Sequence, residues 1–332
     1  MPELSDTPYE GLSPDLILDS LEAIGLVPTG GLIALNSYEN RVYQVELDES
    51  SQYGQFVVVK YYRPQRWSDA AILEEHAFTC ELAELELPLV APITRDATTL
   101  FNHENFRYAV FPRQGGHAPN LENTEDFKVL ARTLGRIHSV GAVRKFEHRP
   151  RLSIERLGQS SREYLLENNW LPLELETAYS SLTEHLLNSV ESVLPTDSPE
   201  QRIHGDCHMG NVLWRSNVPH FVDLDDCVMG PEIQDLWMLL SGERADQEAQ
   251  LQLLLNSYLP FHELGLHTLS FIEPLRTLRI MHHAAWLARR WDDPAFPSAF
   301  PWFNTQKYWA EHILQLREQQ AALQEPPLRY IG

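Results

Sequence analysis

Cysteine is scarce in this chain, with three among 332 residues (Cys80, Cys207 and Cys227) and none in a CxxC pair. Three cysteines cannot form a closed disulfide set, and their spacing argues against a structural zinc. Basic residues are also few, since 26 Lys and Arg oppose 47 Asp and Glu and give a formal net charge of −21. A chain this acidic, without a segregated basic run, repels nucleic-acid phosphates and anionic lipid.

Long hydrophobic runs are missing as well. No stretch approaches the ~20 apolar residues needed to span a bilayer. The opening residues, MPELSDTPYEGLSPD, have no basic region followed by an apolar stretch, so we expect no secretory signal. These features predict a cytoplasmic protein with no nucleic-acid partner and no membrane partner, and we expect it to be a monomer.

What the chain does have is an ordinary globular composition, 43% hydrophobic and 22% charged. At about 150 residues per domain, its length predicts two domains or lobes. Short segments rich in β-branched and aromatic residues dominate the first third and predict strands. Residues 68–86 instead repeat apolar side chains at helical spacing after Ser68, a suitable N-cap. The predicted strands are residues 31–35, 41–47, 56–60 and 106–112.

The pattern becomes mainly helical after residue 112. Residues 124–140 place apolar side chains on one helical face, and four later segments give similar signals. The sequence therefore predicts an α+β fold with two lobes. Residues 1–111 form a small antiparallel sheet with one main helix, and residues 112–332 form a larger helical lobe. The later helical segments are residues 161–169, 176–194, 275–291 and 305–324.

Polar chemistry is concentrated in two neighbouring stretches, IHGDCHMGNVLW (203–214) and FVDLDDC (221–227). One interpretation is a two-metal hydrolase centre built from His204, Asp206, His208 and Asp223. That interpretation needs further His, Asp or Asn ligands in similar loops elsewhere, and we find no second stretch of this kind. It is the weaker alternative.

Phosphoryl transfer uses the residue types that are present. Transfer to a hydroxyl needs a carboxylate that accepts its proton, and oxygen ligands for a Mg²⁺ ion that bridges the nucleotide phosphates. Asp206 is the candidate base, and Asn211 and Asp223 are the candidate magnesium ligands. Because Mg²⁺ prefers hard oxygen donors and keeps some waters, one Asn and one Asp are enough ligands from the protein.

These motifs resemble the aminoglycoside phosphotransferase/choline kinase superfamily, whose fold is related to that of protein kinases. A closer resemblance is to the stress response kinase A family of bacterial serine/threonine protein kinases, and it runs along nearly the whole chain. The stretches that carry it include LNSYENRVYQVE (35–46), VVVKYYRPQRWS (57–68), HGDCHMGNVLW (204–214) and WDDPAFPSAFPWF (291–303).

The resemblance implies a bilobal protein-kinase-like fold, ATP and Mg²⁺ as cofactors, and a protein Ser/Thr acceptor that includes the enzyme itself. It also implies a role in bacterial stress survival. Lys60 resembles the lysine that holds the α- and β-phosphates, and Glu75 resembles the helix acid that orients it, with Glu74 as the rival. Ser37 occupies the place of the phosphate-covering loop, although the glycine-rich pattern of protein kinases is missing. Asp235 resembles a buried aspartate that binds the catalytic-loop backbone.

Two other functions stay open at this point. A small-molecule kinase acting on an amino alcohol, an aminoglycoside or homoserine would use the same fold, with acids to meet the ammonium group. A nucleotide-binding scaffold without catalysis is disfavoured because Asp206, Asn211 and Asp223 are all present. We expect Asp225 and Asp226 to order their loop or to lie behind the metal. We expect the histidines at 204, 208, 282 and 283 to be structural, and Cys207 and Cys227 to take no part.

Overall fold

The computed structural model describes residues 8–49, 51–120, 123–195 and 199–332. The first seven residues, which bear on the expected lack of a secretory signal, lie outside this range. The chain divides into two compact units. The first comprises Met1–Thr133, Phe146–Arg149 and Met209–Cys227, and the second comprises Leu134–Lys145, Pro150–His208 and Val228–Gly332. The predicted division of the chain at residues 111 and 112 stays a prediction.

The first unit is built on an antiparallel five-stranded sheet with the strand order β1-β2-β3-β5-β4. Two helices accompany the sheet, and a hairpin from later in the chain, β7–β8, completes the unit. Helix α3 begins in this unit and ends in the second. The elements are α1 (Pro14–Ala23), β1 (Pro28–Ala34), β2 (Arg41–Leu47), β3 (Phe56–Tyr61), α2 (Asp69–Glu84), β4 (Phe101–His103), β5 (Phe106–Pro112), α3 (Thr124–Gly141), β7 (Val212–Arg215) and β8 (Val218–Phe221).

Strand β3 contributes side chains to both faces of this sheet. Val57, Val59 and Tyr61 are fully buried in one apolar cluster, because alternate residues of a strand point to the same side. Each such aliphatic side chain contributes roughly 1.5–3 kcal/mol to stability. Lys60 lies on the opposite face of the sheet. Its strand partner is Ala109, which belongs to a second apolar cluster with Ile72 of α2. The sheet thus directs a buried lysine toward α2.

The predicted strands and the main helix α2 are confirmed to within a few residues. Ser68 is its N-cap, and the Ser68 hydroxyl accepts a hydrogen bond from Ala71 N at 3.2 Å. Helix α1 was not predicted. It begins after Ser13, whose hydroxyl accepts from Leu16 N, and it buries Ile17 and Leu21 against the sheet.

The second unit is mainly helical and holds a short two-stranded sheet, β6 with β9. The fully buried aromatic side chains of Phe296 and Phe303 show that the connection at 291–303 is packed, as its composition predicted. The elements are α4 (Ser160–Glu167), α5 (Leu173–Val193), β6 (Gln201–Ile203), β9 (Val228–Gly230), α6 (Ile233–Trp237), α7 (Arg244–Tyr258), α8 (Ile272–Ala288), α9 (Ala295–Ala299) and α10 (Gln306–Ala322), with a π-helical turn at Glu155–Gln159. Across the part of the chain that the structure describes, no helix has the length and apolarity to cross a membrane.

Candidate active site

Lys60 is a buried cation held by three acids of the first unit. Its ammonium nitrogen lies 2.9 Å from Asp223 Oδ1, 3.1 Å from Asp225 Oδ1 and 3.8 Å from Glu75 Oε1. Burial by itself would lower the pKa of Lys60, but these carboxylates raise it well above its usual range. The lysine therefore stays charged, and it is ready to bind anionic oxygens.

The adjacent acids Glu74 and Glu75 have different partners. Glu75 is buried beside Lys60, and burial, opposed by Lys60, raises the pKa of Glu75 to about 7. Glu74 instead accepts hydrogen bonds from three consecutive backbone N–H groups, at residues 147, 148 and 149. The structure thus brings Glu75, and not Glu74, to Lys60, as the helical spacing predicted.

Asp225 is the most heavily bound acid of this cluster. Besides Lys60, its carboxylate contacts the guanidinium of Arg66 and accepts a hydrogen bond from Asn40 Nδ2 at 3.1 Å. Arg149 donates to the backbone carbonyls of Asp225 and Cys227. Burial alone would raise the pKa of Asp225, but these cations lower it below its usual range. Asp225 therefore orders its loop as an anion, in line with the structural task expected for it.

Asn211 and Asp223 flank the hairpin β7–β8 at its open end. The strands pair Val212 with Phe221, and the carbonyl of Asn211 accepts a hydrogen bond from Val222 N at 3.0 Å. Asp223 follows at a left-handed φ of 58°, which Asp tolerates better than most residues, and its side chain is half-exposed. The hairpin therefore holds the two candidate ligands at one place in the unit.

Their donor set fits Mg²⁺. An amide oxygen and a half-exposed carboxylate are hard donors, and Mg²⁺ usually takes few protein ligands together with waters and phosphate oxygens. Among the described residues, no group of three or more His, Cys, Asp or Glu side chains is arranged to hold a metal ion. The hydrolase alternative, which needs such a group, gains no support from the structure.

Ser37 lies in the turn between β1 and β2 and is partly buried. The same turn is fixed by Asn40, whose side-chain oxygen accepts a hydrogen bond from Arg63 N at 3.1 Å. Glu39 adds ion pairs of 3.8 Å with Arg63 and 3.6 Å with Arg66. A turn held by side chains thus stands where a glycine-rich loop would be.

Asp206 belongs to the second unit, in the loop that follows β6. Gly205 has a φ of +82°, which a side chain would disfavour, so glycine suits this turn. The buried Asp235 accepts hydrogen bonds from the backbone N–H groups of His204 and Gly205, both at 2.8 Å. The expected structural task of Asp235 is confirmed, and the loop that carries Asp206 is rigidly held.

The Asp206 carboxylate has an arginine and a histidine as neighbours within its unit. Arg279 Nη2 lies 2.6 Å from Oδ1, and His208 Nε2 lies 3.4 Å from Oδ2. Although burial would raise the pKa of Asp206, His208 and Arg279 lower it below its usual range. Asp206 is therefore an anion at neutral pH.

Sequence reasoning missed four residues of this arrangement: Asn40, Arg66, Arg149 and Arg279. Asn40 and Arg66 lie inside the quoted stretches SYEN and RPQRW, so a signal was present for both. Arg149 and Arg279 had no local signal, since each contacts residues more than 70 positions away in the chain. Cys207 and Cys227 are buried and unpaired, and burial raises the pKa of both thiols.

The chain is similar to known kinases along almost its full length. Residues 32–271 match the model of the phosphotransferase enzyme family. Stress response kinase A of Escherichia coli (strain K12) is 41% identical over 321 residues, which cover 97% of this chain and 96% of that protein. A Salmonella typhimurium (strain LT2) protein named serine/threonine protein kinase RdoA is also 41% identical, with the same coverage.

Solved structures show the same fold at low identity. An amicoumacin kinase in complex with AMP-PNP, Ca²⁺ and Ami gives a TM-score of 0.72 at 16% identity, over 96% of this chain and 95% of that chain. A microcompartment-associated aminopropanol kinase gives 0.71 at 16% identity, over 96% and 99%. The predicted α+β, protein-kinase-like fold is confirmed. The chain belongs to the phosphotransferase enzyme family and, within it, to the stress response kinase A proteins, and it is a kinase.

Proposed function

We propose that this kinase uses ATP with Mg²⁺ to phosphorylate serine and threonine hydroxyls of proteins, its own included. One observation carries the chemistry: Lys60 lies between Glu75 and Asp223, and Asn211 lies at the same hairpin end as Asp223. The names of the relatives support a protein acceptor and a role in bacterial stress survival. The unpaired cysteines support a reducing compartment such as the cytoplasm, where we propose a monomer.

Each residue has a defined task in this proposal. Lys60, oriented by Glu75, binds phosphate oxygens, and Ser37 with its turn covers them. Asn211 and Asp223 hold Mg²⁺, which when bound neutralises charge on the phosphates. Asp206 orients the acceptor hydroxyl and takes its proton as the hydroxyl oxygen bonds to the γ-phosphorus and the bond to the ADP oxygen breaks. Because the pKa of Asp206 is low, its contribution is mainly orientation.

Substitution of Asp206 tests this proposal. With radiolabelled ATP and Mg²⁺, Asp206→Asn should bind nucleotide like the wild type but transfer phosphate about 10²–10⁴-fold more slowly. A matched control is Glu311→Gln, which changes an exposed acid of α10 and should leave transfer unchanged. Asn211→Ala should raise the Mg²⁺ concentration required for half-maximal transfer.

The molecule that receives the radiolabelled phosphate identifies the class of acceptor. Label on the enzyme and on added protein, as phosphoserine and phosphothreonine, is the expected result. Label on an added amino alcohol, aminoglycoside or homoserine, with none on protein, would contradict the protein-kinase proposal and favour the small-molecule alternative. Full transfer by Asp206→Asn would contradict the task given to Asp206.

A further inference from the structure

Arg279 of α8 contacts the carboxylate of Asp206, the residue that we propose orients the acceptor hydroxyl. Its Nη2 lies 2.6 Å from Asp206 Oδ1, and the side chains of Arg279 and Asp206 are 40% and 23% exposed. The ion pair is therefore only partly buried. A ligand that approaches Asp206 from solvent also meets the guanidinium of Arg279.

The other basic groups around this carboxylate are imidazoles. His208 and His204 act on Asp206 with the same sign as Arg279. His283 lies one helical turn after Arg279, and burial together with the charge of Arg279 lowers the pKa of His283. His283 is therefore uncharged at neutral pH, and Arg279 is the fixed positive charge beside Asp206 in a chain with a formal charge of −21.

The charge of the acceptor follows from the geometry. Two groups that contact one carboxylate lie within roughly 7 Å of each other, so an acceptor hydroxyl at Asp206 lies that close to Arg279. In a small amino alcohol, the ammonium nitrogen is only about three or four bonds from the hydroxyl oxygen and would face the guanidinium at short range. A carboxylate beside a serine in a peptide would face the same guanidinium with an attractive interaction.

We propose that Arg279 determines acceptor specificity: it favours serine and threonine hydroxyls flanked by Asp or Glu and disfavours alcohols that carry an ammonium group. This inference rests on the proposed function, because it takes Asp206 as the residue that faces the acceptor. It adds the substrate class, an acidic peptide segment, and names the residue that selects it.

Two matched peptides test the proposal. Each has one serine, flanked by glutamates in one peptide and by lysines in the other, and kcat/KM is measured for both with the full chain, ATP and Mg²⁺. The wild type should prefer the acidic peptide by about three- to tenfold at low salt, and added salt should reduce the preference. Arg279→Gln should bring the ratio close to one, and Arg279→Lys should restore most of it. A small aminopropanol should be a poor acceptor for the wild type and a better one for Arg279→Gln.

Arg276→Gln is the control on the same helix. Arg276 pairs with Glu273 at 2.9 Å and Gln247 at 3.0 Å, so its removal should leave the peptide ratio unchanged. A wild-type preference for the lysine peptide, or the same ratio in Arg279→Gln as in the wild type, overturns the inference alone. The absence of any ATP-dependent transfer by the wild type rejects the proposed function, and the inference falls with it.

Discussion

Asn40 and Asp225 lie 185 positions apart in the chain, and the Asn40 amide donates a hydrogen bond of 3.1 Å to the Asp225 carboxylate. Asn40 is buried, and its side-chain oxygen accepts from Arg63 N. The turn that carries Ser37 is thereby tied to the loop that carries Asp223, both within the first unit. These hydrogen bonds give the turn a fixed position.

Removal of the hydrogen bond between Asn40 and Asp225 should weaken nucleotide binding more than it slows phosphate transfer. Asn40→Ala removes the side-chain acceptor of Arg63 N and one of the donors to the buried Asp225 carboxylate, so we expect stability to fall by about 1–3 kcal/mol. We also expect KM for ATP to rise several-fold, with a smaller change in kcat, since Asn40 itself takes no part in transfer. Urea unfolding and steady-state kinetics measure both. Asn102→Ala, at an exposed position of β4, is the control, and an unchanged KM for ATP in Asn40→Ala would show that the tie has no such role.

The neighbours Glu74 and Glu75 should separate stability from activity. Glu74→Gln weakens the acceptor for three backbone N–H groups at residues 147–149, so it should lower stability by about 1–3 kcal/mol and leave kcat/KM of the folded enzyme nearly unchanged. Glu75→Gln removes a charge that orients Lys60, so it should lower kcat/KM at least tenfold.

The two variants should also differ in stability, because Glu74→Gln should be destabilised and Glu75→Gln should not. Glu75 is a buried acid with a pKa raised to about 7, so its neutral replacement should cost little stability at neutral pH. Urea unfolding and kinetics on both variants decide the matter. If Glu74→Gln lost activity and Glu75→Gln kept it, the pairing of Glu75 with Lys60 would not serve catalysis.

The sequence predicted most elements because their signals are local. Strand β2 alternates, and α2 has Ser68 as its cap and apolar residues at helical spacing, so each pattern needs only neighbouring residues. Helix α1 has similar signals at Ser13 and Pro14, but it is only ten residues long, so its apolar pattern repeats over fewer than about three turns.

The residues of the candidate site could be predicted from the sequence only where they belong to a recognisable motif. The resemblance indicated Lys60 and Glu75, and the structure brings them together. The roles of Arg149 and Arg279 come from contacts that tertiary packing creates, 76 positions from Asp225 in one case. No local pattern encodes such a contact, and one sequence without structure does not reveal which of many arginines supplies it.

His76 should make the protein less stable in acid. Its two ring nitrogens bind Tyr62 Oη at 2.6 Å and Thr99 Oγ1 at 2.7 Å, and burial with the charge of Lys60 lowers its pKa to about 3. An unfolded histidine titrates near 6.5, so between about pH 6.5 and 3 the unfolded state binds more protons. Stability should therefore fall as pH falls through this window, by up to about 1.4 kcal/mol per unit from this residue.

A variant isolates this contribution. His76→Gln retains a donor and an acceptor but does not titrate, so its stability should change less between pH 6.5 and 4.5 than that of the wild type. Urea unfolding at several pH values gives both slopes. His185→Gln, at an exposed position of α5, is the control. Equal slopes for His76→Gln and the wild type would mean that another group causes the acid sensitivity.

Gly141 and Gly158 form a matched pair in the second unit. A Cβ on Gly141 would lie 2.2 Å from the carbonyl oxygen of Arg202, which is backbone of β6 and cannot move alone. A Cβ on Gly158 would meet the side-chain ends of Leu187 and Leu278, at 2.4 and 2.8 Å, which can rotate away. Gly141→Ala should therefore cost about 2–3 kcal/mol and Gly158→Ala clearly less.

The substitution at Gly141 should also reach the catalytic loop. Arg202 is followed within four residues by Asp206, so a displaced β6 shifts the carboxylate from its place beside Arg279. Because a displacement of about 1 Å can cost 10²-fold in rate, kcat of the folded fraction should fall in Gly141→Ala and stay near the wild-type value in Gly158→Ala. Urea unfolding combined with kcat per folded molecule tests this. If Gly141→Ala were destabilised but fully active, the position of Asp206 would depend on the Asp235 hydrogen bonds alone and not on β6.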